Sequence, residues 1–577
     1  LEPERGKIFA QDGQDLPSEN IYQIATNKEF ALVYAVPNKI TGADDLAEKL
    51  YAIFDHEIIT QEVEKLLEDD EHFKENLNYP AEDYKEKEEF RKVKKDLEIE
   101  KRKKEIVEKY VKILNKESDP YEPIKNKVDE EKLAAVMELN NPGINYIMEN
   151  HRYYPEGNLG AHILGFVGYQ GDAKIGQYGL EGFFNEELGG KAGSIKTERS
   201  AAGGLIIIND REYDAPQDGS DLILSINRSI QFTACEKLNK AVERHGAEGG
   251  TIIIMEPYSG AILAMCSSPD YDSNNYSKVE DINFFNNPAI FSQYEPGSIF
   301  KAITMAAAID QGEVTPETLY LDKGRVMIEG WPKPINNSDF ETHGGHGWVD
   351  MITVLEESLN TGAIFSMEKI GAEIFADYVK KFGFGEKTGI ELETENFGNI
   401  ESLIRSTIRP VEAATASFGQ GITVTPLQMI TAYAAIANGG MLMKPYLVGK
   451  IISGEKNVIM TQPKQIRRVI SERSALLLSG MLVNVIEGGH AKKAQVRGYF
   501  IGGKTGTAQV ADKEKKGYGE QTIHTFVGFG PVDDPKFVML VKLDDPKDVQ
   551  YAADSSAPLF GELAEFILNY YQVPKER

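Results

Sequence analysis

The apolar positions of this chain fall into contrasting textures. Over residues 1–60, short apolar runs at 7–10 and 30–36 read as strands, and 43–54 carries its apolar residues at helical spacing. Residues 61–118 are rich in Glu and Lys. Within them 85–104 is almost all charge and helix formers, which predicts a solvated helical excursion rather than a binding tail. From 141 to 191 glycines and aromatics recur, as in Arg152-Tyr153-Tyr154-Pro155-Glu156-Gly157, and read as hairpins and turns.

A polar segment, 209–221, breaks the pattern, and the domain boundary is expected there: 1–215 as one domain and 216–577 as a second. Beyond it 230–244 is an amphipathic helix. Two apolar runs, 251–255 and 261–266, are joined through Pro257-Tyr258-Ser259-Gly260 as a hairpin. A second hairpin, 525–530 with 537–541, turns at Asp533-Asp534-Pro535, and a last helix covers about 557–571. Helices thus lie between two hairpins distant in sequence. That predicts an α+β domain whose antiparallel sheet draws strands from both of its ends.

The most apolar helix starts at Ser298, after a Pro296-Gly297 turn, and stops at Gly312. Almost every face is apolar, so the helix should be buried. It nevertheless contains Lys301, three residues after Ser298 and on the same face. Burial disfavours the charged amine, and a neutral lysine can act as base to a serine nucleophile. The alternative is an N-capping Ser298 with Lys301 reaching to water.

Bulk properties narrow the field modestly. The chain has 577 residues and a net charge of −27, which argues against a nucleic-acid partner. No run of about 18 apolar residues occurs, so these residues are not expected to span a membrane. The chain starts at Leu1, and a preceding anchor or signal is expected. Cys235 and Cys266 fall in the 230–244 helix and the 261–266 strand and are expected as two buried thiols.

Each chemical motif is weak alone. Ser-x-x-Lys recurs at Ser366–Lys369 and Ser453–Lys456, but only Ser298 stands at a helix start with free N–H groups. Ser-x-Asn occurs at Ser18, Ser225, Ser273 and Ser358. Ser358-Leu359-Asn360 differs in lying as a polar tip between two helical stretches. Lys-Thr-Gly occurs at Lys387 and at Lys504. The second sits in a strand whose Gly503 and Gly506 let another backbone approach, as an added peptide strand requires. Residues 498–505 also satisfy the phosphate-loop pattern, but a strand rather than a helix follows. His343-Gly344-Gly345-His346 lacks partners at metal-ligand spacing and reads as a structural loop.

Taken in order, Ser298, Ser358 and Lys504 are far more specific. The arrangement resembles the penicilloyl-serine transferases, the superfamily of penicillin-binding proteins and serine β-lactamases. Glu295-Pro296-Gly297-Ser298-Ile299-Phe300-Lys301 and Ser417-Phe418-Gly419-Gln420-Gly421 are similar to class B penicillin-binding proteins. Arg5-Gly6-Lys7-Ile8-Phe9, Arg152-Tyr153-Tyr154-Pro155 and Gly179-Leu180-Glu181-Gly182 resemble their N-terminal pedestal, or dimerisation, domain. The resemblance is not followed through the charged stretch around 65–118.

The resemblance implies an antiparallel sheet with helices on both faces, plus an elongated α+β pedestal. It implies a peptidoglycan D,D-transpeptidase that crosslinks stem peptides and is acylated by β-lactams, with no cofactor and no metal. Ser298 would attack the stem peptide, and Lys301 would take its proton. Ser358, held by Asn360, would pass a proton to the leaving amine. Lys504 would hold positive charge and, with Thr505, Gly506 and Thr507, bind the donor. The N–H groups of Ser298 and Thr507 would form the oxyanion hole. A single membrane helix ahead of Arg5, an extracytoplasmic setting on a bacterial cell membrane and a membrane glycosyltransferase partner are further expectations. The C-terminal run from Tyr518 to Pro546 resembles the cell-division enzymes more than the elongation enzymes. A D,D-carboxypeptidase, a β-lactamase and an acylated sensor are the alternatives; the long N-terminal domain argues against the β-lactamase.

Overall fold

The computed structural model describes residues 2–13, 20–68, 84–116, 119–171, 173–196, 212–454, 457–511 and 517–577. Ser18, Lys456 and residues 209–211 of the polar segment therefore lie outside the described residues. The chain forms two compact units, one of residues 27–153 and one of 1–26 with 154–577. Among the described residues no helix is long and apolar enough to cross a membrane.

β1 (Ile8–Asp12) pairs antiparallel with the start of β2 (Asn20–Ala35). The rest of β2 enters the smaller unit, which also holds α1 (Ala43–Phe54), α2 (His56–Glu68) and α3 (Tyr84–Leu114). There β2 pairs with β3 (Glu122–Val128) and with β4 (Ile144–Tyr153). The apolar spacing of α1 buries Leu46, Leu50, Tyr51 and Phe54 against Tyr110 and Leu114 of α3. The charged excursion is this α2–α3 pair. It closes over a two-residue core, Val63 and Leu67, and its ion pairs run between helices: Glu64–Lys95 and Glu62–Arg102.

The larger unit resumes at Tyr154 and includes β5 (Asp221–Asn227), which lies parallel to β1. α5, following Glu130–Glu138 (α4) in the chain, covers Arg228–His245 and is capped by the Asn227 side chain. β6 (Gly249–Met255) and β7 (Ile262–Ser268) form the expected hairpin. The five-stranded sheet runs in the order β7, β6, β10, β9, β8, where β8 is Gly502–Ala511, β9 Tyr518–Gly530 and β10 Phe537–Asp544. All its pairings are antiparallel. Both distant hairpins therefore build one sheet, as the apolar runs predicted. Every residue of β6 is buried, which requires cover on both faces. The C-terminal helix, Ser556–Tyr570, packs on β9, β10 and α5; the helix Pro426–Ala437, buried from Pro426 to Ile436, packs on β6, β9 and β10.

The cysteines are not free thiols: Cys235 of α5 is disulfide-bonded to Cys266 of β7. The reason is the register of helix on strand. The Gln231 side chain donates to the Met265 carbonyl at 2.9 Å and accepts from the Met265 N–H at 2.8 Å. One turn further along α5, Cys235 then meets Cys266. Composition and spacing carry no trace of that register.

Candidate active site

Two glycines shape the serine turn. Gly297 has φ +57°, in the left-handed region open to glycine, and precedes a 3-10 turn, Gly297–Phe300, that leads into the helix Lys301–Asp310. Its N–H donates to the Gly419 carbonyl at 3.0 Å. A Cβ on Gly419 (φ +82°) would sit 2.2 Å from the Gly297 carbonyl oxygen, so the two backbones approach because Gly419 lacks a side chain, while a Cβ on Gly297 would press on Ala508 at 3.2 Å. The Ser417–Gly421 motif thus acts as a brace. The Gly421 N–H donates to Glu295 at 2.9 Å, and Tyr294 and Val424 exchange backbone hydrogen bonds. Tyr518, at the start of β9, donates to the other Glu295 oxygen at 2.9 Å. The buried Tyr433 hydroxyl donates to the Ile299 carbonyl at 2.7 Å.

Lys301 opens the helix and is 1% exposed. Its amine donates to the Ser358 carbonyl and, at 3.2 Å, to the Ser358 hydroxyl. Its hydrogen-bond partners among the described residues are therefore on Ser358, not on the Ser298 hydroxyl it was expected to accompany. A buried amine takes the nearest oxygens, and Ser358 offers two. It can do so because Ser358 has φ +55°, a strained value for a residue with a Cβ, which turns it toward the lysines. Leu359 is fully buried and anchors the tip. Asn360 begins the next helix, Asn360–Ile370, and donates to the Asn336 carbonyl at 2.9 Å.

Lys504 reaches the same point from β8. It is 1% exposed and donates to the Ser358 hydroxyl at 3.0 Å and to the Thr505 carbonyl at 3.2 Å. β8 ends the five-stranded order, which leaves its outer side as a sheet edge among the described residues. The backbone allowed close by Gly506 is the serine turn itself: a Cβ there would meet Ile299 at 3.0 Å and the Pro296 carbonyl at 3.1 Å. Gly503 is closed over by the Phe526 ring and the Val527 carbonyl. The Thr507 hydroxyl accepts from the Ala552 N–H at 3.0 Å and keeps its proton for another partner.

Electrostatics follow from this burial. Lys301 is held well below the usual amine value, first by loss of water, then by the charge of Lys504; Asp339 acts in the opposite direction. Burial alone lowers Lys504 to about 7. The Ser358 hydroxyl thus sits between two amines whose charged forms are both disfavoured, Lys301 the more strongly. A neutral Lys301 can accept a proton, a charged Lys504 can hold an anion, and Ser358 links them.

The weaker motif copies come out elsewhere. Ser366 donates to its own helix at Gly362, and Lys369 lies over the Phe365 ring. Thr388 and Gly389 close a loop on the Glu395 carboxylate. Asn227, of the Ser225 copy, is the α5 cap. No helix follows the phosphate-loop pattern, since β8 runs on to Ala511. His346 accepts or donates at 2.7 Å to Asp339 and stacks on His343.

Sequence reasoning missed a polar knot behind the Ser358 tip. Asp322 is 2% exposed and accepts from the Thr361 hydroxyl at 2.7 Å, the His346 N–H at 2.8 Å and the Asn337 amide. Asn337 in turn accepts from the Thr361 N–H at 3.0 Å. Asp322 ends a three-residue strand and Asn337 lies in irregular chain; both are single residues with no motif to mark them.

Comparison with known proteins agrees with this geometry. Residues 250–565 match the penicillin-binding protein transpeptidase domain, and 1–224 the penicillin-binding protein dimerisation domain. The chain is 32% identical to stage V sporulation protein D of Bacillus subtilis, over 98% of this chain and 78% of that protein. It is 32% identical to a probable peptidoglycan D,D-transpeptidase PenA of Neisseria gonorrhoeae, over 73% of this chain and 69% of that one. Penicillin-binding protein 3 of Mycobacterium tuberculosis, solved with aztreonam, superposes with a TM-score of 0.66 at 27% identity, over 74% of this chain and 92% of that one.

Proposed function

The chain belongs to the class B penicillin-binding proteins, and on that premise we propose that it is a peptidoglycan D,D-transpeptidase working through a serine acyl-enzyme. The observation that carries the residue assignment is the convergence on the Ser358 hydroxyl of Lys504 and of Lys301, which follows Ser298 by three residues. Ser298 attacks the donor carbonyl, and neutral Lys301 takes its proton. Ser358, between the two lysines and next to Asn360, passes a proton to the departing D-alanine amine. Lys504, with Thr505, Gly506 and Thr507, receives the donor carboxylate at the β8 edge. The N–H groups of Ser298 and Thr507 receive the oxyanion. An acceptor amine then takes the acyl group and completes the crosslink. β-Lactams acylate the same serine.

The setting is proposed from family resemblance: a single-pass protein of the bacterial cell membrane with this region outside the cytoplasm, partnered by a membrane glycosyltransferase. Within it we keep the domain division near residue 215. The division-type reading rests on the run from Tyr518 to Pro546. The breadth of the match to a sporulation protein favours sporulation as a second setting. A pentapeptide donor with an amine acceptor tests the activity: the protein should release D-alanine and form the crosslinked peptide, and Ser298→Ala should do neither. Release of D-alanine to water without crosslinks would instead identify a carboxypeptidase.

A further inference from the structure

One carboxylate beside the site has no role in the scheme above. Asp339 lies on the irregular segment between Asn336 and His346. That segment is tied to the Ser358–Thr361 tip at both ends. The Asn336 carbonyl accepts from Asn360, and Asn337 accepts from the Thr361 N–H. Further on, the His346 N–H is held by Asp322, which also holds Thr361. Asp339 is therefore fixed relative to the tip that receives Lys301.

Its two oxygens differ. Oδ2 is bonded to His346 Nε2 at 2.7 Å. Oδ1 is buried and has no hydrogen-bond partner among the described residues. Burying a carboxylate oxygen unpaired is costly unless a charge answers it. The charges facing this region are few. Of the charges that act on Lys301, Asp339 favours the cation and Lys504 disfavours it. His346 and the His343 ring stacked on it lie at Oδ2, Asp322 holds the His346 backbone, and Arg325 sits over the Phe340 ring.

In acyl transfer the Ser298 oxygen bonds to the donor carbon while its proton moves to the Lys301 amine. The proton then leaves through Ser358 as the carbon–nitrogen bond breaks. In between, Lys301 is a cation in a dry site beside a second lysine. That state needs a negative charge within reach.

We propose that Asp339 is a positioning residue of this reaction: a fixed negative charge, held by His346, that counters the charge of Lys504 and lets Lys301 hold the Ser298 proton during acyl transfer. The proposal rests on the assignment of Lys301 as the base.

The test is the second-order rate of acylation by a fluorescent penicillin from pH 5 to 10, in wild type, Asp339→Asn, Asp339→Glu and His346→Gln. Asp339→Asn is expected to slow acylation about tenfold or more at pH 7. Its acid limb should move about one unit to lower pH, because losing the carboxylate makes Lys301 easier to deprotonate. The alkaline limb should stay in place. Asp339→Glu and His346→Gln, which keep the charge, should keep the acid limb near that of wild type. An Asp339→Asn protein with unchanged rate and limbs overturns the proposal. So does a slower one whose acid limb has not moved, since that marks a merely structural role. If Asp339→Asn does not fold, Asp339→Ser removes the same charge with less volume and is read the same way. A wild type with no adduct, or Ser298→Ala with one, overturns the site assignment itself and this proposal with it.

Discussion

Lysines in two regions of the molecule show what burial does to a charge. In the α2–α3 pair they are joined by arginines, and these basic side chains are many, partly exposed and matched with glutamates: Lys95 with Glu64, and Arg102 with Glu98 and Glu62. Water solvates them, each pair contributes little, and their identities are nearly interchangeable. Lys301 and Lys504 meet at Ser358, each 1% exposed, and among the described residues no carboxylate is in hydrogen-bond contact with either. There the fold holds cations under conditions that disfavour them. The cost is borne in the region where an abnormal amine is chemically useful.

The sharpest break in that contrast is Lys301→Met. Acylation by a penicillin should fall by about 10²–10⁴, as expected for loss of a general base. Stability in urea should not fall, and a gain on the order of 1 kcal/mol is expected because a buried amine with no carboxylate in hydrogen-bond contact is replaced by an apolar side chain. Lys95→Met should leave acylation within about twofold. A Lys301→Met protein that acylates normally would remove the basis of the comparison.

Lys504→Met should slow acylation about 10²-fold and change the response to pH. The folded value of about 7 lies below the ordinary lysine value of 10.5, so the unfolded chain binds more protons between them. Lys504 thus makes stability rise with pH over that window. The melting temperature of wild type minus that of the variant should therefore increase from pH 7 toward 10. For the same reason the wild-type acylation rate should decline above pH about 7, where free Lys504 loses its proton.

Leu67→Ala cuts the small core of the helical pair. A loss of about 2–3 kcal/mol is expected, confined to amide-exchange protection of α2 and α3, with acylation unchanged. The smallest effect belongs to Arg102→Ala, within about 0.5 kcal/mol and reduced by salt in equilibrium melts.

Legibility in the sequence followed the same division. The all-apolar runs of β6, β7 and β10 announced a buried antiparallel sheet, because a strand covered on both faces needs no polar alternation. Ser298, Lys301, Ser358 and Lys504 were legible as an ordered set, and the fold brings the two lysines and Ser358 together. Three features were not legible. The Cys235–Cys266 bond depends on how α5 is registered on β7. The partner of Lys301 depends on the left-handed backbone of Ser358. Asp322, at the end of a three-residue strand, and Asn337 and Asp339, in the turn after Asn336, lie where the elements are too short for a periodicity to report what a side chain faces.

The central claim is that Ser298 is the nucleophile made reactive by this pair of buried lysines. It is tested most directly by incubating the protein with a fluorescent penicillin and mapping the adduct by peptide mass. The account predicts one stable acyl group, on the peptide carrying Ser298, absent in Ser298→Ala and strongly slowed in Lys301→Met. An adduct on any other residue, or an undiminished adduct in Ser298→Ala, would contradict it.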